Sequence, residues 1–256
     1  MNLFWTSLFL LMLFCALFLI RRRNKRSKSG FLPKAWKRIL AEEVAFYSKL
    51  EKEDRKLFER KVASFLRSTK ISGAETVLEE IDCLLVAAGA VIPIFRLKGW
   101  RYPDLNEVVV YGESFNRCFA AAQDGSKVDG LLGTGAMEGK MFLSQTALRK
   151  GFAQELDGNN AAIHEFVHLI DKHDGSVDGV PASLMPRQYV LPWLNLVGTK
   201  IKDMEGKKSD LNAYGATNQG EFLAVASEYF FEDPEKMKRR HPELHETLKK
   251  IFRQKQ

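Results

Sequence analysis

The stretch 161–170 (AAIHEFVHLI) constrains this chain more than any other, because it reads as a core helix and yet carries two histidines and a glutamate. His164 and His168 are four residues apart, which on an α-helix puts both imidazoles on one face about one turn from each other. Two imidazoles so placed can grip one metal ion. Glu165 between them projects toward the same ion and can take a proton from an activated water. Ala161, Ala162, Ile163, Phe166, Val167, Leu169 and Ile170 make the helix apolar, and Asp157, Asn159 and Asn160 are its N-cap candidates. Burying two of the chain's five histidines without a partner would be costly, and a metal supplies that partner.

A catalytic zinc needs a third protein ligand and an open position. Asp174 lies six residues past His168, where HExxHxxGxxH chains place that ligand, but their geometry needs a glycine turn where Asp171 stands. Glu221 and Glu228 share one expected helix (NQGEFLAVASEYFFE, 218–232) and stand ~10.5 Å apart along its axis, so both cannot bind one ion. Glu221 also occupies the capping-box position relative to Asn218. Glu228 could equally orient a histidine from behind, as could Asp171. Spacing alone leaves the choice of third ligand open. His173, His241 and His245 sit among charged residues and read as solvent-facing.

The rest of the chain alternates helical and strand-like patterns. Trp36, Ile39, Leu40 and Val44 recur at helical spacing, as do Leu57, Val62, Phe65 and Leu66. A third helical stretch is expected over 72–90, ended by Gly89 and Pro93. Strands are expected at 108–111 and 140–144, the second a possible edge for an extended peptide. Between them, 130–139 (GLLGTGAMEG) lacks the Lys-Ser/Thr ending of a phosphate loop and reads as a hairpin or loop. Helices are expected at 159–173, 186–198 and 218–231. Helices, a small sheet and helices again make the class α+β, and 256 residues suffice for a sizeable core.

From Leu3 to Ile20 runs an uncharged apolar segment that as a helix would span roughly 27 Å, close to a bilayer core. No base precedes it and RRRNKR follows, the reverse of a cleavable signal peptide. The expectation is one N-terminal transmembrane helix in the inner (cytoplasmic) membrane, with the basic flank and all that follows facing the cytosol. The formal charge of +7 belongs to this flank, since residues 31–256 carry 33 bases against 32 acids. A nucleic-acid-binding surface therefore loses its support. Cys15, Cys83 and Cys118 are odd in number and widely spaced, which gives neither a disulfide framework nor a thiolate zinc cluster.

HEFVHLID together with YGATNQGEFLAVASEYFFE resembles the Mlc titration factor A family of zinc peptidases, and the likeness extends from about Leu32 to Arg239. The resemblance implies a mainly helical, zincin-like metallopeptidase domain with a small sheet. It also implies Zn2+ held by His164, His168 and Glu221, and catalysis by Glu165 as general base. Tyr214, the Tyr of YGATxxxE, would lie near the metal, an arrangement similar to that of anthrax lethal factor. The implied reaction is peptide-bond hydrolysis by Glu-assisted attack of a zinc-activated water on a peptide or protein substrate, with a transcriptional regulator as a further partner. The domain reading is then a membrane anchor at 1–20, a basic linker at 21–31 and a zinc peptidase domain at 32–256. The alternative is a membrane-tethered regulator-binding protein whose zinc site is structural or vestigial.

Overall fold

A computed structural model describes residues 32–115, 128–154 and 156–254. The apolar segment, the basic linker, Cys15 and Cys118 lie outside them. Among the described residues no helix is long and apolar enough to cross a membrane.

The first two helical patterns fold as α1 (Lys34–Glu43) and α2 (Lys52–Ser68), which bury Leu40, Phe58, Val62 and Phe65. The third does not run as expected. Residues Lys70–Ala74 form strand β1, Glu75 has a positive φ of 57°, and Val77 is exposed. Helix α3 begins only at Glu80 and ends at Val91. A reciprocal cap sets that start: Glu79 caps the first turn, and the Asp82 carboxylate accepts the Glu79 N–H at 2.8 Å. Val77, Ile81 and Leu84 share helical spacing, but β1 finds a better partner in β2.

Strands β1, β2 (Glu107–Tyr111), β3 (Gly130–Leu132) and β4 (Lys140–Ser144) form one sheet in the order β1-β2-β4-β3. The first three in that order are parallel and β3 is antiparallel to β4. The glycine-rich stretch is thus a hairpin, β3 to β4, with a 3-10 turn at Gly135–Met137. β4 is interior, paired on both sides, so it is not the open edge that its sequence suggested. Its residues Met141, Phe142, Leu143 and Ser144 are all buried, as an interior strand requires. β3 is the edge.

Helix α4 (Gln145–Ala153) leads to α5 (Ala161–Asp171), the helix of the two histidines, which is buried on nearly every side. Its approach to α3 is very close. A Cβ on Gly89 would stand 2.6 Å from the Ala162 Cβ, so only glycine fits there. Phe166 fills the space toward α2 and packs against Phe65 and Tyr102. Helix α6 (Val190–Glu205) follows a 3-10 turn and runs later than expected. Helix α7 (Gln219–Glu232) is buried along its length and packs on α5. Helices α8 (Pro234–Arg240) and α9 (Pro242–Ile251) close the carboxyl end, each opened by a proline in its first turn.

His241 and His245 do not face solvent. His241 is buried at the N-cap of α9, and His245 lies on the inward side of that helix with Leu244, Leu248 and Ile251. His241 Nε2 bonds Asp210 Oδ1 at 2.7 Å, and the His245 ring packs on Phe230. His173 is exposed, as its sequence surroundings suggested, with its ring against Trp100.

Candidate metal centre

Asn160 starts helix α5, its side chain accepting the Ile163 N–H at 3.1 Å. Four residues on, His164 points from α5 toward α7, and His168 follows one turn later. Their Nε2 atoms are 3.0 Å apart. Asn218 caps α7 by accepting the Glu221 N–H at 2.9 Å, which aims the first turn of that helix at the same point. Glu221 Oε2 lies 2.9 Å from His164 Nε2 and 3.4 Å from His168 Nε2. Two nitrogens and one oxygen thus converge. Ligands on a tetrahedral metal with bonds near 2.0–2.1 Å stand about 3.3 Å apart, so this triangle is of the right size. Among the described residues these three form the one group of His, Cys, Asp or Glu with the spacing of a metal site.

The other acids take different positions. Glu228, two turns along α7 from Glu221, bonds His164 Nδ1 through Oε1 at 2.7 Å, and its Oε2 accepts the Asn160 N–H. This contact holds Nδ1–H toward the carboxylate and leaves Nε2 for the metal. Asp174 stays outside the cluster, its Oδ2 accepting the Ala182 N–H at 3.0 Å. Asp171 Oδ2 takes the Gly179 N–H at 2.7 Å instead of a histidine N–H. Its Oδ1 and His168 Nδ1 are both buried without a hydrogen-bond partner among the described residues. Burial pushes the Asp171 carboxyl up to about 6, opposed by the Gly179 N–H.

The electrostatics of the centre favour a cation. Burial works against a charge on His164, but Glu228, Glu221 and Glu165 outweigh it and hold the imidazole well above its usual range. Glu221 lies far below the ordinary carboxylate range despite its burial, because the two histidines bond it. Two histidines and a carboxylate, backed by a second acid, make a donor set that fits a divalent metal.

Glu165 is buried, and burial raises its carboxyl above the usual range against the pull of both histidines. It lies against the edge strand: a Cβ on Gly130 would be 2.6 Å from Glu165 Oε1 and 2.5 Å from its Cγ. Tyr214 sits in a 3-10 turn, Ala213–Ala216, capped by Asn212, whose side chain accepts the Tyr214 N–H. Its ring centroid is 6.0 Å from that of His164, and the side chain is half exposed at the mouth of the site. His164, Glu165, His168, Tyr214 and Glu221 are therefore brought together from three separate segments.

Two contributors escape sequence reasoning. Gly130 makes room for Glu165, and its only signal is membership of a glycine-rich hairpin. Asp210 bonds Tyr229 Oη at 3.0 Å and His241 Nε2 at 2.7 Å, which ties the segment before Tyr214 to α7 and α9. Nothing in the sequence links residues so far apart.

The model of a family described as glucose-regulated metallo-peptidase M90 matches residues 18–253. An uncharacterized protein of Synechocystis is 29% identical over 241 residues, covering 90% of this chain and 87% of the relative. Mlc titration factor A of Serratia proteamaculans is 27% identical over 177 residues, covering 64% of this chain and 65% of its own length. The protein of that name from Pectobacterium atrosepticum is 26% identical over 196 residues, 70% of this chain and 71% of the relative.

Proposed function

The chain belongs to the glucose-regulated metallo-peptidase M90 family, and on that premise we propose that it is a zinc-dependent peptidase. The observation that carries this reading is the convergence of His164 Nε2, His168 Nε2 and Glu221 Oε2 beside the buried carboxyl of Glu165. Family membership implies a metal ion. Zinc is the choice because an imidazole–imidazole–carboxylate set with an open position suits it.

When bound there, zinc would supply Lewis acidity, polarising a scissile carbonyl and bringing the pKa of a water toward ~7. The protein's own groups do the rest. Glu165 takes the proton of the attacking water on its carboxylate and passes it to the departing amine nitrogen, a role suited by its raised affinity for a proton. Tyr214 donates its phenolic hydrogen to the developing oxyanion from the mouth of the site. Glu228 keeps the His164 ring in one tautomer and one orientation.

Edge strand β3 can align the substrate. Gly133 N–H bonds Lys140 O and Ser144 N–H bonds Asp129 O, each at 2.9 Å, so with Leu131 opposite Phe142 the groups of Leu131 face β4. The N–H and C=O of Gly130 and Leu132 then point outward, where an extended peptide can pair. The apolar segment Leu3–Ile20 with its basic flank would hold the enzyme on the inner face of the cytoplasmic membrane.

A second reading is favoured by the name of the relatives, which describes titration of Mlc. In that reading the chain binds a transcriptional regulator and the metal is structural. Zinc content and peptide hydrolysis of the full-length protein, wild type beside Glu221→Ala and Glu165→Gln, separate the two. The peptidase reading expects one zinc per chain, lost or weakened in Glu221→Ala, and a zinc-loaded but inactive Glu165→Gln. Zinc-loaded wild type that cuts no peptide and binds a regulator supports the second.

A further inference from the structure

A cavity of about 210 Å³ lies at the carboxyl end of α5, lined by Leu169, Lys172 and His173 and by none of the three residues of the metal triangle. Its walls are Trp100, Tyr102, Leu105, Leu132, Leu169 and His173. The rings of Trp100 and His173 stand edge to face with centroids 4.5 Å apart. At the rim, an ion pair between Lys172 of the 3-10 turn after α5 and Glu138 of the hairpin bridges helix and strand.

The cavity has a fixed relation to the cleft. Gly130 lies over Glu165, and two strand residues further on, Leu132 lies at the cavity together with Leu169, one helical turn beyond Glu165. Two residues of strand cover ~6.6 Å and four of helix ~6 Å, so strand and helix lead from the general base to the cavity in step. A peptide paired antiparallel to β3, the commoner arrangement, would run from the cavity toward Glu165. Directly opposed residues place their side chains on the same face of a sheet, so the substrate residue opposite Leu132 would turn its side chain the way Leu132 does.

We propose that this cavity receives an aromatic side chain, Phe or Tyr, of the second or third substrate residue on the amino side of the cut bond. Its volume suits one ring: an apolar cavity of ~150 Å³ holds benzene. The aromatic and aliphatic walls can cover a ring, and of the charged residues that also line the cavity Arg101, Asp104 and Glu138 are exposed, so the ring is buried while the substrate backbone stays with the strand. An occupied cavity of this kind favours internal cleavage over removal of a single amino-terminal residue, because the peptide must extend past the cut on its amino side. The inference deepens the peptidase reading and rests on it.

The test uses full-length, zinc-loaded protein and a set of decapeptides that differ only in Phe, Tyr, Leu or Ala at one position, each position scanned in turn. Burial of one aromatic ring corresponds to ~10–150-fold. The expected result is therefore at least about tenfold higher kcat/KM for Phe over Ala two or three residues before the cut, collapsing in Trp100→Ala and in His173→Ala. The same peptides are titrated into Glu165→Gln protein by calorimetry, which reads the cavity without turnover. Equal binding and equal cleavage of Phe and Ala peptides would overturn the cavity assignment, as would a preference unaltered in both variants. Preferential binding of the Phe peptide, abolished in the variants, with no cleavage by wild type would leave the cavity standing and remove the peptidase reading.

Discussion

Gly130 stands so close to Glu165 that a Cβ at that position would come within 2.6 Å of the carboxylate oxygen. The contact joins the edge strand to the proposed general base. A methyl group there must displace the carboxylate or the strand, and a misplacement of about 1 Å can cost ~10²-fold in rate. Gly130→Ala is expected to keep its zinc and to lose roughly 10–100-fold in kcat. Steady-state kinetics beside a zinc assay checks this, and a fully active Gly130→Ala would mean that Glu165 has room to spare.

Glu228 acts on His164 from the side away from the proposed metal position, through the 2.7 Å contact at Nδ1. Glu228→Gln keeps the size of the side chain and removes its charge. Loss of such an outer partner typically weakens metal binding ~10–100-fold. Competition for zinc with a chromogenic chelator should show a weakening of that order. Unchanged affinity would reduce Glu228 to its other contact, the Asn160 N–H at the start of α5.

Asp210 links stability to pH. Burial alone would raise its carboxyl, but bonds from His241, Tyr229 and Arg240 hold it below the usual range. A carboxylate whose folded pKa is depressed stabilises the fold above its unfolded value, ~3.9, and loses that contribution as pH falls through the folded value. At neutral pH, Asp210→Asn should cost about 1 kcal/mol, because solvent around the exposed Asp210 screens its charged hydrogen bonds. The melting-temperature gap between wild type and variant should narrow as pH drops below about 4. A gap that stays constant from pH 7 to pH 3 would show that charge is not what Asp210 contributes.

Local signals made α5 and α7 legible. Both are apolar runs with an asparagine just before them, and Asn160 and Asn218 do cap them. The pairing of Glu221 with the two histidines was not legible from spacing, because a helix period cannot tell Glu221 from Glu228. It came from the resemblance of YGATNQGE to a known pattern. Strand β1 was hidden because 72–74 precede Val77 and Ile81 at helical spacing, and only the ladder to β2 decides against a helix. The buried His241 and the open edge at β3 were hidden for the same reason. Each depends on a partner far away in the chain, Asp210 for the histidine and, for the strand, β2, which takes the other side of β4 and leaves β3 outermost.

Tyr214 carries the last prediction. Its ring stands 6.0 Å from that of His164, and the side chain is half exposed. Its backbone is held independently of the side chain, because the Tyr214 N–H bonds Asn212 Oδ1 at 3.0 Å, and Asn212 in turn bonds Asn159 just ahead of α5. Tyr214→Phe should therefore preserve the turn, the melting temperature and the zinc content. Removing one oxyanion donor costs ~10²–10³-fold in kcat where the donor is fully enclosed, and a half-exposed donor should fall at or below the lower end. The expected outcome is a kcat reduced roughly 10–100-fold with little change in KM, since the bond forms with the transition state and not with bound substrate. A raised KM at constant kcat would instead make Tyr214 a contact for the ground-state peptide.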